Sequence, residues 1–382
     1  MKPVVIESSS AMDSVLDEIV NHTIIAVDTE FQRETSYYPI LALVQIATDN
    51  QVICIDPLAF DARPALQKIL LNKNINKVFH ACSQDMEVLY YYLGEVPNNI
   101  YDTQIANAFL TDHHQIGYAA LVENELGVQL DKSQTRTNWL QRPLTDKQIQ
   151  YAGDDVLYLY QLQAILDNKL QQAKRTAWFT EECNNLTESE NDFQVDIDKL
   201  WRRVKGATKL NRNALVIVQS IAQWREQLAQ QKDKTRRKIL TDETLIQLAL
   251  ETPDNIDTLN LIIATRDRSL LNLNEQEKQQ LIQTIQSALQ APENEWPDNR
   301  YSVLDSQQKT KLKILQQLVN NKAEELSLSS AIITSRKDLE NLIISNANAT
   351  GTESEALSSK LNVVQGWRLH CIGQQLLDAL ET

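Results

Sequence analysis

Hydrophobic and polar positions follow two rhythms along this chain. In its first part, short apolar runs bounded by polar residues read as strands at 3–7 ("PVVIE"), 24–31 ("IIAVDTEF"), 41–48 ("LALVQIAT"), 51–56 ("QVICID") and 76–81 ("NKVFHA"). Between and after them, apolar positions three and four apart predict helices over 10–20, 61–71, 83–93, 103–111, 117–126 and 145 to about 173. A Tyr-rich turn at 35–39 follows the second strand, and 41–48 lies close enough to 51–56 for a hairpin. Hairpin strands followed by strand–helix units predict a mixed sheet with helices around it, not an all-parallel sheet.

Beyond residue 180 the strand rhythm disappears. The polar, acidic stretch 180–196 and the Pro-bearing "APENEWPDNR" at 291–300 read as linkers between helical regions. The expected division is an α/β domain over 1–180, a linker over 181–204, a helical domain over 205–290 and a second over 300–382. The two helical parts have the marks of a duplication. "ILTDETLIQLAL" (239–250) resembles "IITSRKDLENLI" (332–343) with one residue inserted, and each follows an amphipathic segment, 214–229 and 311–326.

Composition narrows the chemistry. The 382 residues include only 8 glycines, and neither G-x-G-x-x-G nor G-x-x-x-x-G-K-[ST] occurs, so dinucleotide and phosphate-loop readings have no support. The cysteines at 54, 82, 183 and 371 form no C-x-x-C pair and suit a reducing compartment. With no apolar leader at the start and no run of membrane-spanning length, the expectation is a soluble cytoplasmic protein without membrane contact. The net charge of -14 is unevenly spread: residues 1–196 carry -15, 197–290 carry +4 and 291–382 carry -3. The basic part is therefore the middle, where "LWRRVKGATKLNR" (200–212) has no acid and "KDKTRRK" (232–238) has one.

Three places set carboxylates beside buried segments. Asp28 and Glu30 end an apolar strand two residues apart, so both side chains face one way. Such a pair is either hydrated at a strand end or offset by a cation, since an unpaired buried charge is costly. Asp85 falls in the first turn of the helix after "VFHA", where an acid can also serve the helix dipole. Tyr151 and Asp155 are four apart on a predicted helix capped at Thr145 and so share a face, with Asp154 as the close competitor.

In this order, "VDTEF", "FHACSQDMEVL" and "YAGDDVLYL", with "RPL" before the last, resemble the three exonuclease motifs of the DEDD superfamily, in the subgroup whose third motif carries tyrosine. The whole layout resembles the ribonuclease D family, an exonuclease domain followed by two HRDC domains. "SIAQWREQLAQ" (220–230) is similar to the first helix of such a domain and "GWRLHCIGQQLL" (366–377) to the end of the second. The proline expected before Ile239 is absent, and the second helical domain matches less well.

The resemblance implies a ribonuclease H-like α/β exonuclease domain plus two all-α HRDC domains. It implies catalysis by Asp28, Glu30, Asp85, Tyr151 and Asp155 with two divalent ions, Mg²⁺ or Mn²⁺. The four carboxylates would ligate them, and their hard oxygens suit those ions. Asp28 would bridge both ions, Glu30 and Asp155 would complete one, Asp85 would serve the other, and Tyr151 would orient the attacking water. The implied reaction is 3′-to-5′ trimming of RNA, tRNA precursors above all, with release of nucleoside 5′-monophosphates. Thr29, Phe31, His80 and Gln84 stand beside the ligands and could hold the terminal nucleotide. Arg202, Arg203, Lys205, Lys209, Arg212, Arg236, Arg237 and Lys238 form a candidate RNA-tracking surface, against the alternative of a solvated helical face. Two rival functions are a DNA proofreading or repair exonuclease and a non-catalytic RNA-binding scaffold. The presence of all four acids and Tyr151 argues against the scaffold.

Overall fold

The computed structural model describes residues 1–131, 133–135, 137–187, 193–266, 273–297, 304–347 and 361–381. In chain order the elements begin with β1 (Val4–Ile6), α1 (Ser9–Val20), β2 (Ile24–Gln32), β3 (Ile40–Ala47), β4 (Val52–Ile55), α2 (Arg63–Leu70) and β5 (Asn76–Phe79). They continue with α3 (Ser83–Leu93), β6 (Ile100–Asp102), α4 (Thr103–Ala108), α5 (Tyr118–Leu126), α6 (Asp146–Gln172) and α7 (Thr176–Asn185). The helical remainder holds α8 (Arg212–Gln231), α9 (Arg236–Ile239), α10 (Asp242–Glu251), α11 (Ile256–Arg266) and α12 (Glu275–Gln290). The last elements are α13 (Ser306–Leu326), α14 (Ser330–Ile333), α15 (Arg336–Ala347), α16 (Gly366–Arg368), a π turn at Leu369–Gly373 and α17 (Gln374–Glu381). Among the described residues no helix is long and apolar enough to cross a membrane.

The six strands form one sheet in the order β1-β4-β3-β2-β5-β6. Strands β3 and β4 pair antiparallel, as their spacing predicts, whereas β1 with β4, β2 with β5, and β5 with β6 run parallel. The mixed sheet is therefore as the sequence leads one to expect. Strand β2 is central, and its residues Ile25, Ala26 and Val27 are fully buried. Strand β6 escapes the sequence reading because "IYD" is too short to show a period.

The backbone divides into two compact units. The first holds residues 1–31, 41–190 and 304–382; the second holds 32–40 and 191–303. Within the first unit, the C-terminal helices share one apolar core with α4, α6 and α7. Trp367 stacks on Trp178 at 4.9 Å and meets Phe109 edge-on at 5.2 Å. The Glu182 carboxylate accepts from the Trp367 indole at 2.9 Å and pairs with Arg368. The C-terminal region is thus part of the first unit's core. The helices after residue 304 bury their apolar faces against α4, α6 and α7 and so fall in the same compact unit as the sheet.

The second unit packs α8, α10 and α12 around Leu215, Ile221, Leu245 and Leu281. Leu200, Trp201 and Val204 join this core from a 3-10 segment at Ile197–Arg203 and the residue after it. The expected linker over 181–204 is therefore shorter. Its start belongs to α7, where Cys183 is buried, and its end anchors the second unit. The flanking Lys199, Arg202 and Arg203 mask Leu200 and Trp201 in the sequence.

Candidate active site

Strand β2 emerges from the core at Asp28, and its alternation sets Asp28 and Glu30 on one side. Helix α6 supplies the facing acid. It starts at a capping box, in which Thr145 accepts from the Gln148 backbone and the Gln148 side chain reaches back, so the position of its first turns is fixed. Two turns on, Asp155 faces the strand. One carboxylate oxygen from each of Asp28, Glu30 and Asp155 lies within 4.8 Å of the others. Asp154 points elsewhere. Its carboxylate accepts from Gln150 at 2.9 Å, and its backbone carbonyl accepts from the Tyr118 hydroxyl at 2.9 Å.

Asp85 is outside that trio but belongs to the same electrostatic group. It is buried at the first turn of α3, and its carboxylate accepts the hydroxyl of Thr29. Thr29 thus braces an acid and also lines the cleft, with its hydroxyl proton committed to Asp85.

Burial raises all four carboxyl groups. Asp28 is pushed up to about 8 by desolvation and by the charge of Asp155. Glu30 is pushed up to about 10 by desolvation, then by Asp28, Asp155 and Asp85. Asp155 reaches about 7 through desolvation, with the Tyr151 hydroxyl pulling the other way. Asp85 is also raised well above the usual carboxylate range, mainly by burial and then by Asp28. Among the described residues, the charged groups that act on these acids are other acids, with no Lys or Arg. Hard oxygen donors that crowd together without a protein cation fit a divalent ion.

Asp28, Glu30 and Asp155 open into a cleft of about 600 Å³, with Asp85 behind them outside its lining. Tyr151 lines it, half-buried on α6 and four residues before Asp155. Burial and the nearby Asp155 charge raise its phenol, so Tyr151 stays protonated and cannot act as a base at neutral pH. His80 also lines the cleft, but both ring nitrogens are engaged. Nδ1 is 2.9 Å from the Thr103 hydroxyl, and Nε2 is 3.1 Å from the Ile116 carbonyl. Phe31 and Gln84 lie outside the lining, and Gln84 is exposed on α3. The start of α5 at Gly117–Ala120, with Leu130 and Leu159, completes the walls. Sequence reasoning missed these residues, since "GYAAL" shows a helix but not what it faces.

The basic residues of the second unit divide into two sets. Arg202, Arg203, Lys205, Lys209, Arg237 and Lys238 are largely solvent-facing. Arg236 is not available for RNA in the way the sequence suggested. Its guanidinium pairs with the buried Glu226 and lies over the Tyr37 ring, with its carbon 5.4 Å from the centroid. Arg212 donates to the carbonyls of Glu293 and Trp296 at 2.8 and 3.2 Å, fastening the start of α8 to the segment after α12. These two arginines hold the fold, because the acceptors around them are buried or belong to the backbone.

Comparison with known proteins agrees with this geometry. Residues 3–171 match the family described as 3′-5′ exonuclease, and residues 214–265 match the HRDC domain. A ribonuclease D of Pseudomonas paraeruginosa is 34% identical over 94% of this chain and 92% of its own length. One from Desulfotalea psychrophila is 32% identical over 89% and 90%. The crystal structure of Escherichia coli RNase D, described as an exoribonuclease involved in structured RNA processing, superposes with a TM-score of 0.86. It is 28% identical and covers 100% of this chain and 99% of its own.

A mixed sheet whose central strand delivers paired acids to a cleft, in a chain of this similarity, defines a 3′-5′ exonuclease that depends on divalent metal ions. More narrowly, the chain belongs to the ribonuclease D family and is a 3′-5′ exoribonuclease.

Proposed function

We propose that this protein trims 3′ extensions from structured RNA, tRNA precursors in particular, one nucleoside 5′-monophosphate at a time, with two Mg²⁺ or Mn²⁺ ions. Asp28, Glu30, Asp85 and Asp155 are the residues that would hold the ions, and Tyr151 orients the attacking water. The observation that carries this reading is the crowding of Asp28, Glu30 and Asp155 within 4.8 Å, with no protein cation among their charged neighbours in the described residues. When bound, divalent cations there offset charge on the phosphoryl oxygens and make bound water more acidic. The protein's own groups do the rest. The β2 backbone fixes Asp28 and Glu30, Thr29 fixes Asp85, and the protonated Tyr151 hydroxyl hydrogen-bonds the water without removing its proton. The water oxygen bonds to phosphorus and gives its proton to solvent, the bond from phosphorus to the 3′ oxygen breaks, and that oxygen takes up a proton from solvent, so the shortened RNA keeps a 3′-hydroxyl.

The C-terminal helices form, in this reading, a second, diverged HRDC-like domain. The order α8, α9, α10 is a long helix, a four-residue helix and a medium one, and α13, α14, α15 repeat it. Arg202, Arg203, Lys205, Lys209, Arg237 and Lys238 make up the surface that holds the body of the RNA.

The test is digestion of a 3′-extended tRNA, with products sized at one-nucleotide resolution, in Mg²⁺, in Mn²⁺ and in chelator. A ladder that shortens by single nucleotides only when metal is present is expected. Internal cuts, or equal digestion in chelator, would contradict the reading. A matched DNA strand run in parallel measures the preference for RNA.

A further inference from the structure

The segment that precedes α6 is clamped far more firmly than a loop needs. Arg142 is its anchor. The guanidinium meets the Asp56 carboxylate through Nε and, at 2.8 Å, through Nη2, and Asp56 is almost fully buried. The same group donates to three backbone carbonyls: Trp139 at 2.7 Å, Gln141 at 2.8 Å and Ala42 at 2.7 Å. The fork therefore ties strand β3 and the residue after β4 to the backbone of Trp139. Such planar, multi-donor geometry is available to arginine and not to lysine.

That tie has one evident consequence for the cleft. The Trp139 side chain, 5% exposed, packs in a small apolar cluster with Ala42, Leu43, Cys54 and Ala152. Its ring centroid lies 6.1 Å from that of Tyr151, at 42° between planes. The buried indole N–H has no hydrogen-bond partner among the described residues, so polar bonding does not explain a tryptophan here. What the indole supplies is a broad wall behind the Tyr151 ring, while the phenol oxygen reaches the cleft, 3.4 Å from the Thr135 hydroxyl.

We propose that Trp139 is a positioning residue for Tyr151, held against its ring by the Arg142–Asp56 clamp. The proposal rests on the reading of Tyr151 as the group that orients water. A phenol displaced by a fraction of an ångström keeps its chemistry but loses its aim, and catalysis is sensitive to such shifts. The effect should fall on turnover and not on substrate binding.

The experiment is a double-mutant cycle on the full-length protein with its metal, using a short single-stranded RNA, with thermal melting to confirm folding. Trp139→Phe should lower kcat about ten-fold with KM changed by less than about two-fold. In a Tyr151→Phe background the same substitution should cost less than about two-fold, because there is no hydroxyl left to aim. Arg142→Lys, which keeps the charge but loses the fork, should show the same non-additivity. Equal losses from Trp139→Phe in both backgrounds would overturn the proposal, as would wild-type turnover of a folded Trp139→Phe. If Tyr151→Phe alone has wild-type turnover, the reading of Tyr151 fails instead, and the cycle separates the two failures.

Discussion

Two groups of buried acids answer the cost of burial in opposite ways. In the second unit, Glu226 is buried yet held below its ordinary value. Burial pushes it up, but bonds from Arg236 and the Tyr37 hydroxyl outweigh that. In the cleft of the first unit, Asp28 and Glu30 are pushed up to about 8 and about 10 by desolvation, and the charges that add to it are those of other acids. A buried carboxylate that finds a guanidinium is a fastener. A set with no guanidinium or ammonium partner among the described residues fits an external cation, and this contrast marks the cleft acids as candidates for catalysis where burial alone does not.

The sharpest way to break this contrast is to neutralise one acid of each kind. Asp28→Asn should reduce turnover by about 10³-fold or more, the scale of losing several kcal/mol of electrostatic stabilisation. At pH 9, where Asp28 of the metal-free parent is ionised, the metal-free variant should nevertheless melt at a higher temperature than the parent, since a desolvated, repulsive charge is gone. Turnover near the parent's in Asp28→Asn would remove it from the site. Arg236→Gln is the mirror case. It removes the main partner of Glu226 and leaves the Tyr37 hydroxyl and Arg225, so it should destabilise the protein by about 1–2 kcal/mol, read as a lower urea midpoint. Cleavage of a short RNA by the folded variant should hardly change. An unaltered midpoint would show that Arg236 is free for RNA after all.

A smaller effect is expected from pH. The cleft carboxyls have unfolded values near 4 and folded values of about 7 to 10, so the metal-free folded state binds more protons between those limits. Their contribution to stability is intact below about pH 4 and is lost as pH rises through the folded values. The melting temperature of the metal-free protein should therefore fall from pH 6 to pH 9, measured as the difference from Asp28→Asn so that other groups cancel. A difference independent of pH would deny the raised values. Smallest of all should be the change on replacing Arg202, Arg203, Lys205 and Lys209 with glutamine. The log–log salt slope for tRNA binding should flatten by about 0.7–0.9 for each phosphate that the variant no longer neutralises. An unchanged slope would return these side chains to the role of a solvated face.

Much of the site was legible in the sequence because its cause is local. The apolar run into D-T-E and the Tyr151–Asp155 spacing on a helix are local patterns, and read together with "FHACSQDMEVL" they pick out the acids that the fold brings to one cleft. What stayed hidden depends on partners distant in the chain. Thr29 gives no local sign of its partner Asp85, 56 residues away. Arg236 looked like one more surface charge until Glu226 and Tyr37 closed around it. Nothing local in Trp367 reveals that it stacks on Trp178.

The central claim is that the cleft acids hold protons until a divalent cation takes their place. Calorimetric titration of the metal-free protein with Mn²⁺ at pH 7, in buffers of different ionisation enthalpy, counts the protons released on binding. With Asp155 at about 7, Asp28 at about 8 and Glu30 at about 10, the three hold about half, nine-tenths and one proton at pH 7, so binding should release about two protons. The release should shrink in Asp28→Asn. Binding without proton release, or heat unaffected by Asp28→Asn, would contradict the account.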